Sequence, residues 1–99
     1  MSARKLNFHS GAIRDAREAR SWYGQVDVSL ADRFTTELWR TIGVAPGAPL
    51  CRAPDQVGKR HFRLQGFPYV LIYHWEEPVL RILAVAHTSR DPEHWRTRT

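Results

Sequence analysis

The stretch Tyr69-Val70-Leu71-Ile72-Tyr73-His74-Trp75 constrains this chain more than any other. In an extended strand successive side chains alternate between two faces. Tyr69, Leu71 and Tyr73 then share one face, and Val70 and Ile72 the other, so neither side is polar. A strand at the wet surface of a sheet alternates apolar with polar, whereas one apolar on both faces is covered on both. The flanking segments KRHFRL (59–64) and VLRILAVA (79–86) also run with a period of two. The turns QGFP and EEP join the three runs into a meander.

Upstream, the period lengthens to that of a helix. Residues 3–8 read as a short first strand, with Leu6 and Phe8 alternating against Lys5 and Asn7. Ser10 is expected to cap a first helix over 11–24, whose Ile13, Ala16, Ala19 and Tyr23 recur at helical spacing before Gly24 stops it. Ser29 to Asp32 has the form of a capping box. Leu30, Phe34, Leu38 and Ile42 follow as one apolar stripe, with Arg33, Glu37 and Arg40 left to water. The link at 25–28 is short enough for a helical hairpin. From Gly43 to Gly58, three prolines and three glycines predict a loop. The expected architecture is α+β: one domain over 1–99, with the first strand and a two-helix hairpin packed on a mostly antiparallel four-stranded sheet, and a short C-terminal tail.

A chain of 99 residues, 42% hydrophobic and 25% charged, suits one domain with its own core. No apolar run approaches the ~18–20 residues that a membrane span needs. MSARKLNFHS has no apolar segment after its charges, so no signal peptide is expected. Cys51 is the one cysteine, which rules out an internal disulfide and makes the cytoplasm the expected compartment. A formal charge of +5 favours a polyanionic partner: nucleic acid, the ribosome or an acidic protein.

Groups able to handle a proton or a phosphate gather late in the chain. Lys59, His61 and Arg63 share a face by strand parity, and counting 81, 83, 85, 87 places Arg81 and His87 on one face of the last strand. Arg90, His94, Trp95, Arg96 and Arg98 follow in the tail. Metal-free RNA cleavage needs such a set: a base for the 2′-hydroxyl, an acid for the leaving 5′-oxygen, and cations on the phosphate. Histidine serves as base or acid, and arginine grips phosphate with two hydrogen bonds. Trp95 either stacks on a base or folds back onto the sheet as a terminal lid. The charges of Lys59, Arg60 and Arg63 equally suit an edge strand protected against aggregation. HExxH, CxxC, P-loop, GxGxxG and G-x-S-x-G motifs are all missing, so no metal or cofactor is expected.

Three segments of the chain are similar to the RelE/ParE superfamily, the toxin halves of bacterial type II toxin–antitoxin modules. They are Arg63-Leu64-Gln65-Gly66-Phe67-Pro68-Tyr69-Val70-Leu71-Ile72-Tyr73, Val85-Ala86-His87-Thr88-Ser89-Arg90-Asp91-Pro92-Glu93-His94-Trp95, and Leu30-Ala31-Asp32-Arg33-Phe34 with Glu37-Leu38. The resemblance implies a strand–helix–helix–three-strand order and a cognate antitoxin. RelE-like members cut mRNA on the ribosome without a metal. The candidate catalytic set is His87, Arg90 and His61, with Lys59, Arg63, Arg81, Trp95 and Arg96 as nucleic-acid or target contacts. Matched to the RelE-like pattern, the second-strand positions fall near Lys59 and His61 and the post-strand arginine on Arg90, with His94 or His87 as the substitute proton carrier. Two positions depart from it: Phe67-Pro68-Tyr69 stands where those members carry an arginine, and Trp95 where they carry a proton-transferring residue. ParE-like members share the fold and act by binding DNA gyrase. The expected function is therefore growth inhibition by gyrase binding. A ribosome-dependent endonuclease and a non-toxic nucleic-acid-binding domain are the alternatives.

Overall fold

A computed structural model describes residues 5–47, 55 and 58–99. Its elements are β1 (Lys5–Phe8), α1 (Ser10–Val26), α2 (Val28–Gly47), β2 (Arg60–Arg63), β3 (Tyr69–Glu76), β4 (Val79–His87) and α3 (Glu93–Arg96). The strands form one sheet in the order β1-β4-β3-β2, antiparallel except where β1 runs parallel to β4. Two helices on a mostly antiparallel sheet is the expected architecture. The predicted loop is shorter at its start, because α2 continues four residues past Gly43. Cys51 lies outside the described residues.

The caps differ from the predicted ones. His9, not Ser10, begins α1: it is extended, and its Nδ1 accepts the Gly11 N–H at 2.9 Å. Burial, with Arg98 and Arg81 nearby, pushes the His9 pKa down, which favours the neutral ring that can accept this bond. Gly24 does not stop the helix; α1 runs to Val26, and Asp27 alone separates it from α2. Asp27 then caps α2, its Oδ1 accepting from the backbone and hydroxyl of Ser29 at 2.8 and 2.9 Å.

The buried side of α1 is Ala12, Asp15, Ala19 and Tyr23, while Ile13 is 41% exposed. On α2 the predicted stripe holds, with Phe34, Leu38 and Ile42 buried and Leu30 packed beside them. Together with Leu71, Tyr73, Leu80 and Ile82 from the sheet they make the main core. Ile72, Leu83, Ala84 and Ala86 form a second cluster on the other face, and Trp95 of α3 closes it at 7% exposure. The two apolar faces of β3 thus have two separate covers, the helical hairpin and the tail.

Glu37 is not in open water. It takes two 2.7 Å bonds from Arg40 and a third from the Gln65 N–H, and so ties α2 to the turn before β3. The Arg40 hydrogen bonds lead the causes that hold its pKa at about 2 against an ordinary 4.5. A depressed carboxylate stabilises the fold above its unfolded pKa and ceases to do so as pH falls through the folded one. At neutral pH this linkage amounts to at most roughly 3 kcal/mol. Urea midpoints of the wild type should therefore fall between pH 5 and pH 2 more steeply than those of a Glu37→Gln variant. Parallel curves for the two proteins would refute this assignment.

Candidate functional site

The tail determines which predicted residues remain open. Asp15, on the buried side of α1, accepts from Arg98 Nη1 at 2.7 Å, His94 Nε2 at 2.9 Å and the Val85 N–H at 3.2 Å. Its carboxylate is 4% exposed. Burial alone would raise its pKa, but these three bonds outweigh burial and hold the pKa below the usual carboxylate range. Arg98 also donates to the Leu83 carbonyl at 3.0 Å. β1 pairs with β4 only as far as Ile82, so Asp15 and Arg98 satisfy the β4 edge just beyond that pairing. A Cβ at Gly11 would lie 2.5 Å from the Arg98 guanidinium carbon, so a larger residue there would force this guanidinium to shift.

The same tail occupies most of the predicted basic face. Lys59 is 6% exposed, and its Nζ donates to the Arg96 carbonyl. Arg81 donates to the Thr99 carbonyl at 2.8 Å and to Asn7 Oδ1. His61 donates through Nε2 to Asp55 Oδ2 at 2.8 Å and meets the Trp95 ring edge-on at 5.1 Å. Arg96 is exposed and pairs with Glu93 at 2.8 Å. Trp95 is the lid of the second core cluster, which leaves its ring faces to the protein interior.

Arg81 and His87 do not share a face, contrary to strand parity. Ile72 pairs with Ala84 and Tyr73 with Ile82, so Leu83 is an extra residue on β4. A bulge of one residue reverses the facing of everything beyond it. His74 pairs with Arg81 on the tail side, whereas His87 pairs with Tyr69, which packs into the helix-side core. His61 and Arg63 pair with Ile72 and Val70, also on the tail side. The predicted catalytic set is therefore divided by the sheet: His61 on one face, His87 and Arg90 at the other.

On the helix side, a cleft of about 800 Å³ opens between α1 and the end of the meander. Its walls are Asp15, Glu18, Trp22 and Tyr23 of α1, Pro68 and Tyr69 at the start of β3, and His87, Ser89, Arg90 and Asp91 after β4. Such a volume is in the range of ligand sites. His87 stands edge-on to Tyr69 at 5.2 Å. Its Nδ1 accepts the Ser89 N–H at 3.1 Å, with the Ser89 hydroxyl at 2.7 Å. An N–H can only donate, so the neutral ring carries its proton on Nε2 and offers a donor to the cleft, not a base. Arg90 has no ion pair among the described residues. Trp22, 59% exposed, supplies an aromatic surface at the rim. The cleft thus combines one arginine, aromatic faces and three carboxylates, a composition suited to holding a partner.

Asp15, Glu37 and Trp22 were not among the predicted functional or structural anchors. Asp15 had a signal in the sequence: a carboxylate at position 15 falls between Ala12 and Ala19 on one helix face, and the tail brings several cations. Trp22 had none, because an aromatic near a helix end more often packs inward.

The chain that folds this way belongs to a toxin family. Residues 6–92 match the family described as the ParE toxin of the type II toxin–antitoxin system parDE, and the chain is a member of it. It is 32% identical over 93 residues to Toxin ParE2 of Mycobacterium tuberculosis, from strains CDC 1551 / Oshkosh and H37Rv alike. That alignment covers 90% of this chain and 86% of the relative. The fold resembles a solved chain from the chromosomal ParDE system of P. aeruginosa, with a TM-score of 0.75 and 14% identity over 85% of this chain and 95% of the other.

Proposed function

We propose that this toxin arrests growth by binding DNA gyrase in the cytoplasm, that a cognate antitoxin neutralises it, and that it does not cut RNA. Membership of the ParE family supports the first part. The observation that carries the choice between binding and cleavage is the division of the catalytic set. Lys59 and Arg81 donate to carbonyls of the tail, Trp95 is buried as its lid and His61 is bonded to Asp55, while His87 offers the wrong proton for a base. His87, Arg90 and Trp22 remain as contacts for a protein target, and arginine and tryptophan are the side chains that dominate binding hot spots.

Purified toxin titrated into gyrase with relaxed plasmid and ATP is expected to suppress supercoiling, and Arg90→Ala is expected to raise the inhibitory concentration by at least about tenfold. A translation extract given the same toxin should keep its mRNA intact. Unimpaired supercoiling at molar excess, together with cut mRNA on ribosomes, would establish the RelE-like alternative instead.

A further inference from the structure

The 800 Å³ cleft is lined mostly by acidic and aromatic groups, although the chain as a whole carries a formal charge of +5. Its deepest carboxylate, Asp15, is spent on Arg98 and the Val85 N–H. Glu18 and Asp91 are exposed, and neither has an ion pair among the described residues. Asp91 is held in place, its Oδ1 accepting the Glu93 N–H at 3.0 Å. Two open carboxylates thus share the lining with one arginine, Arg90. An aromatic wall completes it. Trp22 meets Tyr23 edge-on at 5.1 Å, Tyr23 meets Tyr69 at 6.1 Å, and Tyr69 meets His87 at 5.2 Å. These four rings run in contact from α1 to the end of β4, and Trp22 at 59% exposure leaves its π surface to water.

Aromatic faces beside unpaired carboxylates are what a cation seeks: the ring quadrupole attracts it, and the carboxylates take its hydrogen bonds. A nucleic acid is a poor occupant, because its phosphates would meet Glu18 and Asp91. A polypeptide suits the whole lining. Its basic side chain matches the rings and carboxylates, and its backbone carbonyls match the two donors, Arg90 and the Nε2–H of His87. We infer that the cleft takes a basic side chain of the protein target, the cation lying against Trp22 and Tyr69 and paired with Glu18, and the flanking backbone bonded to His87 and Arg90. This rests on the reading above, in which the toxin acts by binding, and it names the chemistry that the target presents.

The first probe is N-acetyl-arginine amide, titrated into the isotope-labelled full chain and followed by NMR at the backbone amides of His87, Ser89 and Arg90. Saturating shifts are expected, with a Kd on the order of 1 mM for so small a ligand. Glu18→Lys and Trp22→Leu are each expected to weaken this binding at least about fivefold, while Trp22→Phe, which keeps a π face, retains most of it. Both side chains are exposed, so the variants should keep the wild-type melting temperature. In the gyrase assay, Glu18→Lys is expected to raise the inhibitory concentration about tenfold. Adenosine monophosphate or N-acetyl-glutamate amide binding as tightly as the arginine probe overturns the inference, and so does full binding by Trp22→Leu. Gyrase inhibition undiminished in Glu18→Lys and Trp22→Leu overturns the cleft as the contact and keeps the gyrase reading. Arginine-probe binding by a chain that leaves gyrase supercoiling untouched overturns the gyrase reading and keeps the cleft's preference for a cation.

Discussion

An Asp15→Ala variant should lose about 3–5 kcal/mol of stability, because removing one partner of a buried pair leaves the other charge uncompensated. Arg98 is the charge left behind; its side chain is 11% exposed, and once Asp15 is gone it keeps only neutral partners, the Leu83 carbonyl at 3.0 Å and the His94 ring nitrogen at 3.2 Å. The Val85 N–H is orphaned at the same time. A domain of this size holds about 5–15 kcal/mol in all, so the variant should unfold at much lower urea. A double variant, Asp15→Ala with Arg98→Ala, should lose less than the sum of the two singles, since the pair is one unit. Strict additivity, or a loss under 1 kcal/mol for Asp15→Ala, would mean that the tail is not held through this carboxylate.

Trp95→Ala is expected to cost about 3–5 kcal/mol, the range for deleting a large buried aromatic. It removes the cover from Ile72, Leu83, Ala84 and Ala86 and leaves His61 without the ring it stands against. An apolar patch opens on the sheet, so binding of a hydrophobic dye should increase as the urea midpoint falls. Trp95→Phe refills much of the volume and should recover most of the loss. Had Trp95 been a stacking platform for a nucleotide base, Trp95→Ala would leave stability unchanged. The urea titration separates the two roles without any knowledge of the target.

These two residues also show how far the sequence could be read. The apolar character of both faces of β3 required two covers before any coordinate was known, and the helical hairpin was identifiable as the first. The second was harder to see, because a four-residue helix carrying one tryptophan has no periodicity to detect. Asp15 was hidden by the neighbouring Ile13, which draws the apparent apolar stripe of α1 one position aside from the true one. The caps went to His9 and Asp27, side chains that sit just before the helices, although Ser10 has commoner capping chemistry than His9 and Ser29 chemistry equal to that of Asp27.

By itself the sequence determined the architecture: a change of period from helix to strand, a meander whose middle strand is apolar on both faces, and a basic tail beyond Asp91. Those features are local, since hydrophobic periodicity and turn residues act over a few positions. Which charged residues stay available for a partner was decided only by the tertiary structure. One extra residue at Leu83 turns His87 to the face opposite His61. The tail then engages Lys59 and Arg81 through its own carbonyls. Parity counted along a strand cannot anticipate a bulge, and residue type does not reveal that a lysine will be spent on a backbone 37 positions away.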